Sequence, residues 1–201
     1  LTLHRWASEV GALGRIAEVL IVDDEMGVTT YRVVVGDPKG TLKGFDESEL
    51  NQFLKSLIED GSSGALLPGE SEMAKQIGAP VPEGTWIDQD EIRLLSGSED
   101  SAGTTSLLRD VLERGLLPRP GFKYGTRVRH YDGPVGADHA PYLLQPEWLA
   151  PADWAQACLS ARLATGVNKT WLCGFSHDSK WHYLGLVRPP ADGRWSGFRH
   201  P

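Results

Sequence analysis

The chain has 201 residues, 40% of them hydrophobic and 23% charged, which suits one ordinary domain or two small ones and excludes disordered and fibrous classes. No apolar run reaches the length of a membrane span, and the opening "LTLHRWASEV" lacks the basic-then-apolar layout of a secretory leader, so an intracellular protein without membrane contact is expected. The net charge of −7 conceals an asymmetry: residues 1 to 100 hold 8 Lys and Arg against 19 Asp and Glu, whereas residues 101 to 201 hold 12 against 8, a basic half suited to meeting phosphate.

In chain order, "EVLIVDD" (Glu18 to Asp24) and "TTYRVVVGD" (Thr29 to Asp37) are β-branched runs bounded by turn residues and read as paired strands. "FDESELNQFLKSLIEDG" reads as a helix, with Asp46 and Glu49 as a capping box, an apolar stripe through Leu50, Phe53, Leu54, Leu57 and Ile58, and Gly61 as its stop. "GTWIDQDEIRLL" is a further strand candidate, and "SGSEDSAG" (Ser96 to Gly103) reads as a linker. No internal repeat is visible. The expected organisation is α/β (α+β): an N-terminal structural or assembly domain over residues 1–95, the linker over 96–103, and a mixed-sheet C-terminal domain over 104–201.

After the linker, "SLLRDVLERG" places Leu107, Leu108, Val111 and Leu112 on one helical face, with Gly115 as its end. A strand through "KYGTRVRHYD", a loop "GPVGAD" and a second strand "HAPYLLQ" follow. A helix then starts at the Asp153 and Gln156 capping pair, with Trp154, Cys158 and Ala161 expected inward. The strands "KTWLCGFS" and "WHYLGLVRP" are joined by a turn over Asp178 and Ser179, and the last is expected at an apolar sheet edge that pairs across an interface. Cys158 and Cys173 read as small buried thiols rather than a metal or redox pair.

Titratable residues gather in "GFKYGTRVRHYDGPVGADHAPYLL", Gly121 to Leu144. In a regular strand Lys123, Arg127, Arg129 and Tyr131 share one face while His130 points to the other. Cations within about 4 to 6 Å favour a phenolate, so a tyrosine in that company is a candidate acid–base group. His139 opens the next strand and Lys169 the third. A tyrosine, a histidine and a lysine without paired carboxylates suit metal-free chemistry on a phosphate, with RNA supplying its own 2′-hydroxyl nucleophile. The same residues also fit a strand aromatic, a turn histidine and a solvated lysine.

"LLRDVLERG", "GFKYGTRVRHY", "DHAPYLL" and "ARLATGVNK", in this order and spacing, resemble the catalytic domain of the tRNA-splicing (tRNA-intron) endonucleases, over about Leu107 to Val187. The resemblance implies an RNA endonuclease that excises introns from precursor tRNA at bulge–helix–bulge junctions, without metal or other cofactor, leaving 2′,3′-cyclic phosphate and 5′-hydroxyl ends. It puts Tyr131 as general base, His139 as general acid and Lys169 as the stabiliser of the phosphorane charge. Arg162, one heptad before the lysine, takes the place of a base-stacking arginine. Arg127 and Arg129 are further RNA-binding candidates. A second clamping arginine is absent between Lys169 and Arg188, and Trp181 is the candidate to replace it by stacking. The resemblance further implies a dimer or tetramer, with like or non-catalytic subunits, working in the cytoplasm of an archaeal host or the nucleus of a eukaryotic one. The loop "SHDSK" is less acidic than the docking loop of homo-oligomeric members. The rival readings are a non-catalytic RNA-binding or structural subunit of the same assembly and a metal-dependent nuclease.

Overall fold

Strand signals in the first forty residues give a hairpin: β1 (Ala17–Val22) and β2 (Val28–Gly36) pair antiparallel, from Ala17↔Val33 to Val22↔Val28. The structure is a computed structural model describing residues 2–43, 47–59, 63–69, 71, 74, 77–98, 103–133 and 139–188. The expected cap at Asp46, the stop at Gly61, half of the linker and residues 134–138 of the loop lie outside the described residues. Contacts along the chain divide it into two units, one of residues 1–38, 119–130 and 140–201, the other of residues 39–118 and 131–139.

The first unit supplies all but three residues of a seven-stranded mixed sheet. Besides β1 and β2 it contains β7 (Leu117–Pro120), β8 (Val128–Tyr131), β9 (Tyr142–Pro146), β10 (Thr170–His177) and β11 (Lys180–Val187), in the order β1-β2-β11-β10-β9-β8-β7. β10 runs parallel to β9 and antiparallel to β11, and β11 runs antiparallel to β2. Asp178 and Ser179 both take positive φ, 50° and 59°, the two-residue turn that matches strand twist. β11 is thus interior. The apolar "WHYLGLVRP" strand finds its partner in β2 of the same chain, because "YRVVVG" offers an equally apolar strand in register from Tyr183↔Gly36 to Val187↔Arg32. This corrects the expected interface edge.

Two helices cover one face of this sheet. α1 (Thr2–Ala12) places Leu3, Ala7 and Val10 inward, and the last helix, Trp154–Gly166, places Ala157, Ala161 and Ala164 inward, around Ala17, Tyr31, Val33, Leu143, Trp171 and Leu186. Trp154, expected inside, is 43% exposed, since the buried stripe is set by small alanines that let the helix approach the sheet closely.

The second unit holds α2 (Glu47–Ser56), α3 (Gln89–Leu95), α4 (Thr104–Glu113) and a four-stranded antiparallel sheet in the order β3-β4-β6-β5 (Ile58–Glu59, Gly64–Pro68, Gly84–Asp88, Ala79–Val81). With these ranges given, the helix Trp154–Gly166 is α5. "GTWIDQDEIRLL" splits into strand and helix at Asp88. Asp88 accepts from the Glu91 N–H at 2.8 Å while the Glu91 carboxylate accepts from the Asp88 N–H at 3.0 Å, so a capping box starts α3 where a continuous strand was expected. No helix among the described residues is long and apolar enough to cross a membrane.

Replacing Asp88 by Ala removes the cap of α3 and is expected to cost about 1 kcal/mol of stability. Urea unfolding of the two chains checks this; an unchanged midpoint would mean that the cap contributes nothing.

Candidate active site

Glycine sets the shape of the segment that carries the tyrosine. Phe122–Tyr124 form one 3-10 turn, Gly125 follows with φ 69°, and β8 begins only at Val128. The strand alternation therefore does not reach back to Lys123 and Arg127, as a straight strand would require. Within β8 it holds: Val128 and His130 are buried, Arg129 and Tyr131 half-buried on the other face. Arg127, exposed before the strand, donates its backbone N–H to the Gln145 Oε1 at 2.9 Å.

His130 is fully buried, and among the described residues neither ring nitrogen has a hydrogen-bond partner. Burial without a compensating acceptor pulls its pKa down to about 3, so the ring is neutral at physiological pH. The histidine nearest to Tyr131 in sequence is accordingly a core side chain, as the alternation predicts.

His130 pairs with Tyr142 of β9, and Tyr142 pairs with Thr170 of β10. Tyr131 is the residue after His130, and Lys169 is the residue before Thr170. Lys169 is placed by the end of α5. Val167 and Lys169 N–H groups donate to the Ala164 carbonyl at 3.1 and 2.9 Å, and Asn168, with φ 55°, donates to Thr165 at 3.1 Å, a left-handed helix end that turns the chain directly into β10. The ammonium of Lys169 donates to the Ala140 carbonyl and lies 5.6 Å from the centre of the Tyr124 ring, which also has the Lys123 ammonium at 5.9 Å. His139, next to Ala140 in the chain, is exposed, whereas Ala140 itself is 2% exposed.

In the second unit, Tyr131 and His139 bound the segment 131–139. The Asp132 carbonyl after Tyr131 accepts from both the N–H and the hydroxyl of Thr41 at 2.9 Å, while Gly40 and Leu42 N–H groups donate to Arg114 and Gly115 carbonyls at 3.0 Å. A Cβ at Gly40 would stand 2.1 Å from the Gly115 oxygen, so only glycine allows this seam. Nothing in the sequence around Thr41 or Tyr124 signals these contacts.

Arg162 is exposed on α5, one heptad before Lys169. Trp181, proposed for stacking, is 8% exposed and meets Trp148 edge-on at 6.1 Å between ring centres. A separate cavity at the far end of β10 from Lys169 is lined by His4, Phe175, His177 and His182, with His4 and His182 rings 5.2 Å apart. Burial lowers the pKa of His4, helped by His182. Cys173 is pushed up to about 11 by burial and is a quiet thiol rather than a nucleophile.

Comparison with known proteins bears on this arrangement. Residues 105–183 match the family model for the catalytic C-terminal domain of the tRNA intron endonucleases. The tRNA-splicing endonuclease of Thermoplasma volcanium is 28% identical over 167 residues, 83% of this chain and 53% of the relative. That of Picrophilus torridus is 26% identical over 176 residues, 84% of this chain and 55% of the relative. That of Methanothermobacter thermautotrophicus is 28% identical over 112 residues, 51% and 64% respectively. The chain thus spans about half to two thirds of the length of these relatives.

The state of His130 has a measurable consequence. Its folded pKa lies below its unfolded value, so between pH 6.5 and about 3 only the unfolded chain binds the proton, and stability falls as pH drops through that window. At 1.36 kcal/mol per pH unit, about 2 kcal/mol is expected to be lost between pH 7 and pH 5 on this account, and a His130→Leu variant to lose less by that amount. Urea unfolding of both chains at the two pH values checks it; equal losses would show that His130 is not held neutral.

Proposed function

We propose, since this chain belongs to the tRNA-splicing endonuclease family, that it cuts precursor tRNA at bulge–helix–bulge junctions by metal-independent transesterification. The observation that carries this reading is that the segment matched to the catalytic domain contains Tyr131, His139 and Lys169 in order, with Lys169 tied to the carbonyl of the residue beside His139. Tyr131 takes or orients the proton of the 2′-hydroxyl, which attacks the adjacent phosphorus. His139 in its protonated form delivers a proton to the departing 5′-oxygen. The Lys169 ammonium offsets the charge that grows on the phosphorane oxygens. The products are a 2′,3′-cyclic phosphate and a 5′-hydroxyl, and atoms balance without water or metal. Hydrogen bonding from the 2′-hydroxyl to the phenol oxygen of Tyr131 is part of the mechanism.

Arg162, solvent-facing on α5, is the base-stacking cation, and Arg127 and Arg129 supply charge toward the RNA backbone. With Trp181 buried, a contact from its ring to a base would use the rim beside Trp148. Two junctions per intron call for two sites, hence a dimer or tetramer with like or non-catalytic subunits, acting in the cytoplasm of an archaeal host.

The test is incubation of the purified chain, alone and with any co-purifying subunit, with an intron-containing precursor tRNA in excess EDTA. Cleavage to cyclic phosphate and 5′-hydroxyl ends is expected, with a His139→Ala rate lower by about 10²–10⁴-fold. Cleavage that EDTA abolishes would overturn the mechanism; tight RNA binding with no cutting in any assembly would favour a non-catalytic subunit.

A further inference from the structure

Tyr124 is built into a closed turn. The Gly121 carbonyl accepts from the Tyr124 N–H at 2.8 Å and from the Thr126 N–H at 3.4 Å, while the Gly121 N–H donates to the Arg127 carbonyl at 3.0 Å. The buried Thr126 hydroxyl lies 3.5 Å from the Gly121 carbonyl oxygen and 3.4 Å from that of Val128. A Cβ at Gly121 would stand 2.5 Å from that hydroxyl oxygen and 2.8 Å from the Thr126 carbonyl oxygen, so the turn closes only around glycine. These bonds fix the backbone of Tyr124 although it lies outside any strand.

The phenol ring is half-buried and packs against the core that holds Leu143 of β9, Ala161 and Ala164 of α5 and Trp171 of β10. Ala164 is also the residue whose carbonyl accepts from the Lys169 N–H. The pair Leu143↔Trp171 follows directly on Tyr142↔Thr170, where the chain from Lys169 enters β10. Ring and lysine are thereby brought together by elements far apart in sequence.

The Lys169 ammonium lies over this ring, 5.6 Å from its centre and inside the roughly 6 Å range of a cation–π contact. Its other support is the Ala140 carbonyl. A carbonyl dipole and an aromatic quadrupole attract an ammonium without cancelling its charge, whereas a carboxylate would neutralise it. One hydrogen bond to one carbonyl also leaves a long stem free to swing about that atom; a ring face on a second side removes that freedom. The exposed Lys123 places its ammonium 5.9 Å from the same ring centre, so this ring serves cations as well as the apolar core.

We propose that Tyr124 is a positioning residue whose ring face holds the Lys169 ammonium beside Ala140, so that the charge stands in place before RNA arrives. This rests on the role given to Lys169 in the proposed reaction. Tyr124 itself touches no reacting atom. Its hydroxyl is dispensable to the hold, and a ring of the same shape with a weaker quadrupole loosens it.

The test replaces Tyr124 by phenylalanine and then by mono-, di- and trifluorinated phenylalanines in the full chain, in the assembly that cuts precursor tRNA. Fluorine withdraws negative charge from the ring face at nearly constant shape. Expected are a single-turnover rate for Tyr124→Phe within about 2-fold of the parent, a stepwise fall of about 3- to 30-fold across the fluorinated series, and RNA affinity unchanged within about 2-fold. A flat series would mean that the ring only packs, and would overturn the proposal, as would a fall that comes wholly from weaker RNA binding. A second readout needs no RNA. In a chain carrying carbon-13-labelled lysine, the Lys169 ε-methylene protons, assigned through Lys169→Arg, are expected upfield of the other lysines because of the ring current, and to return toward them in Tyr124→Leu. Absence of that displacement in the parent would overturn the hold whether or not the chain cuts RNA. A displaced signal in a chain that cuts no RNA would support the hold and count against the reaction, so the two failures are distinguishable.

Discussion

The parallel pairing of β10 with β9 governs the end of the sheet that carries Lys169. Thr170↔Tyr142 and Trp171↔Leu143 fix where α5 must end, and the left-handed Asn168 lets it end there without an intervening loop. Lys169 is consequently held by backbone on one side and by the Ala140 carbonyl at its tip. A long, flexible side chain loses much of its rotamer entropy in such a hold, and that loss is borne by the fold. His130↔Tyr142 ties β8 to the same level, and the buried, neutral His130 behind it keeps that strand apolar on its core face.

The sequence made parts of this arrangement legible for definite reasons. Strand alternation separated His130 from Tyr131 because Val128–Tyr131 is a regular strand with one buried face. The same rule failed three residues before that strand, where Gly125 takes φ 69° and breaks the period. Asp153 marked the start of α5 through its bond to the Gln156 N–H at 2.8 Å, yet the inward face was misread at Trp154, since a stripe of alanines gives almost no periodic signal beside a tryptophan. The α3 capping box at Asp88 and Glu91 was present in the letters and outweighed by the β-branched run before it.

Long-range pairing is what one chain of letters conceals. Nothing in "YRVVVGD" says that it will lie against "WHYLGLVRP", and an apolar strand whose partner is unknown reads as an edge. The two strands pair because each presents apolar residues in matching register, from Tyr183↔Gly36 to Val187↔Arg32. The Thr41 seam to Asp132 is equally silent, because it depends on Gly40 approaching Gly115 closely across a long stretch of chain.

The central proposal is that the RNA carries its own nucleophile and that the protein moves protons and offsets charge around it. A precursor tRNA with a single 2′-deoxy nucleotide at one junction tests this most directly. The intact junction should be cut at an unchanged rate while the deoxy junction stays whole. Cutting of the deoxy junction at a comparable rate would require a different nucleophile, and would contradict the roles given to Tyr131, His139 and Lys169.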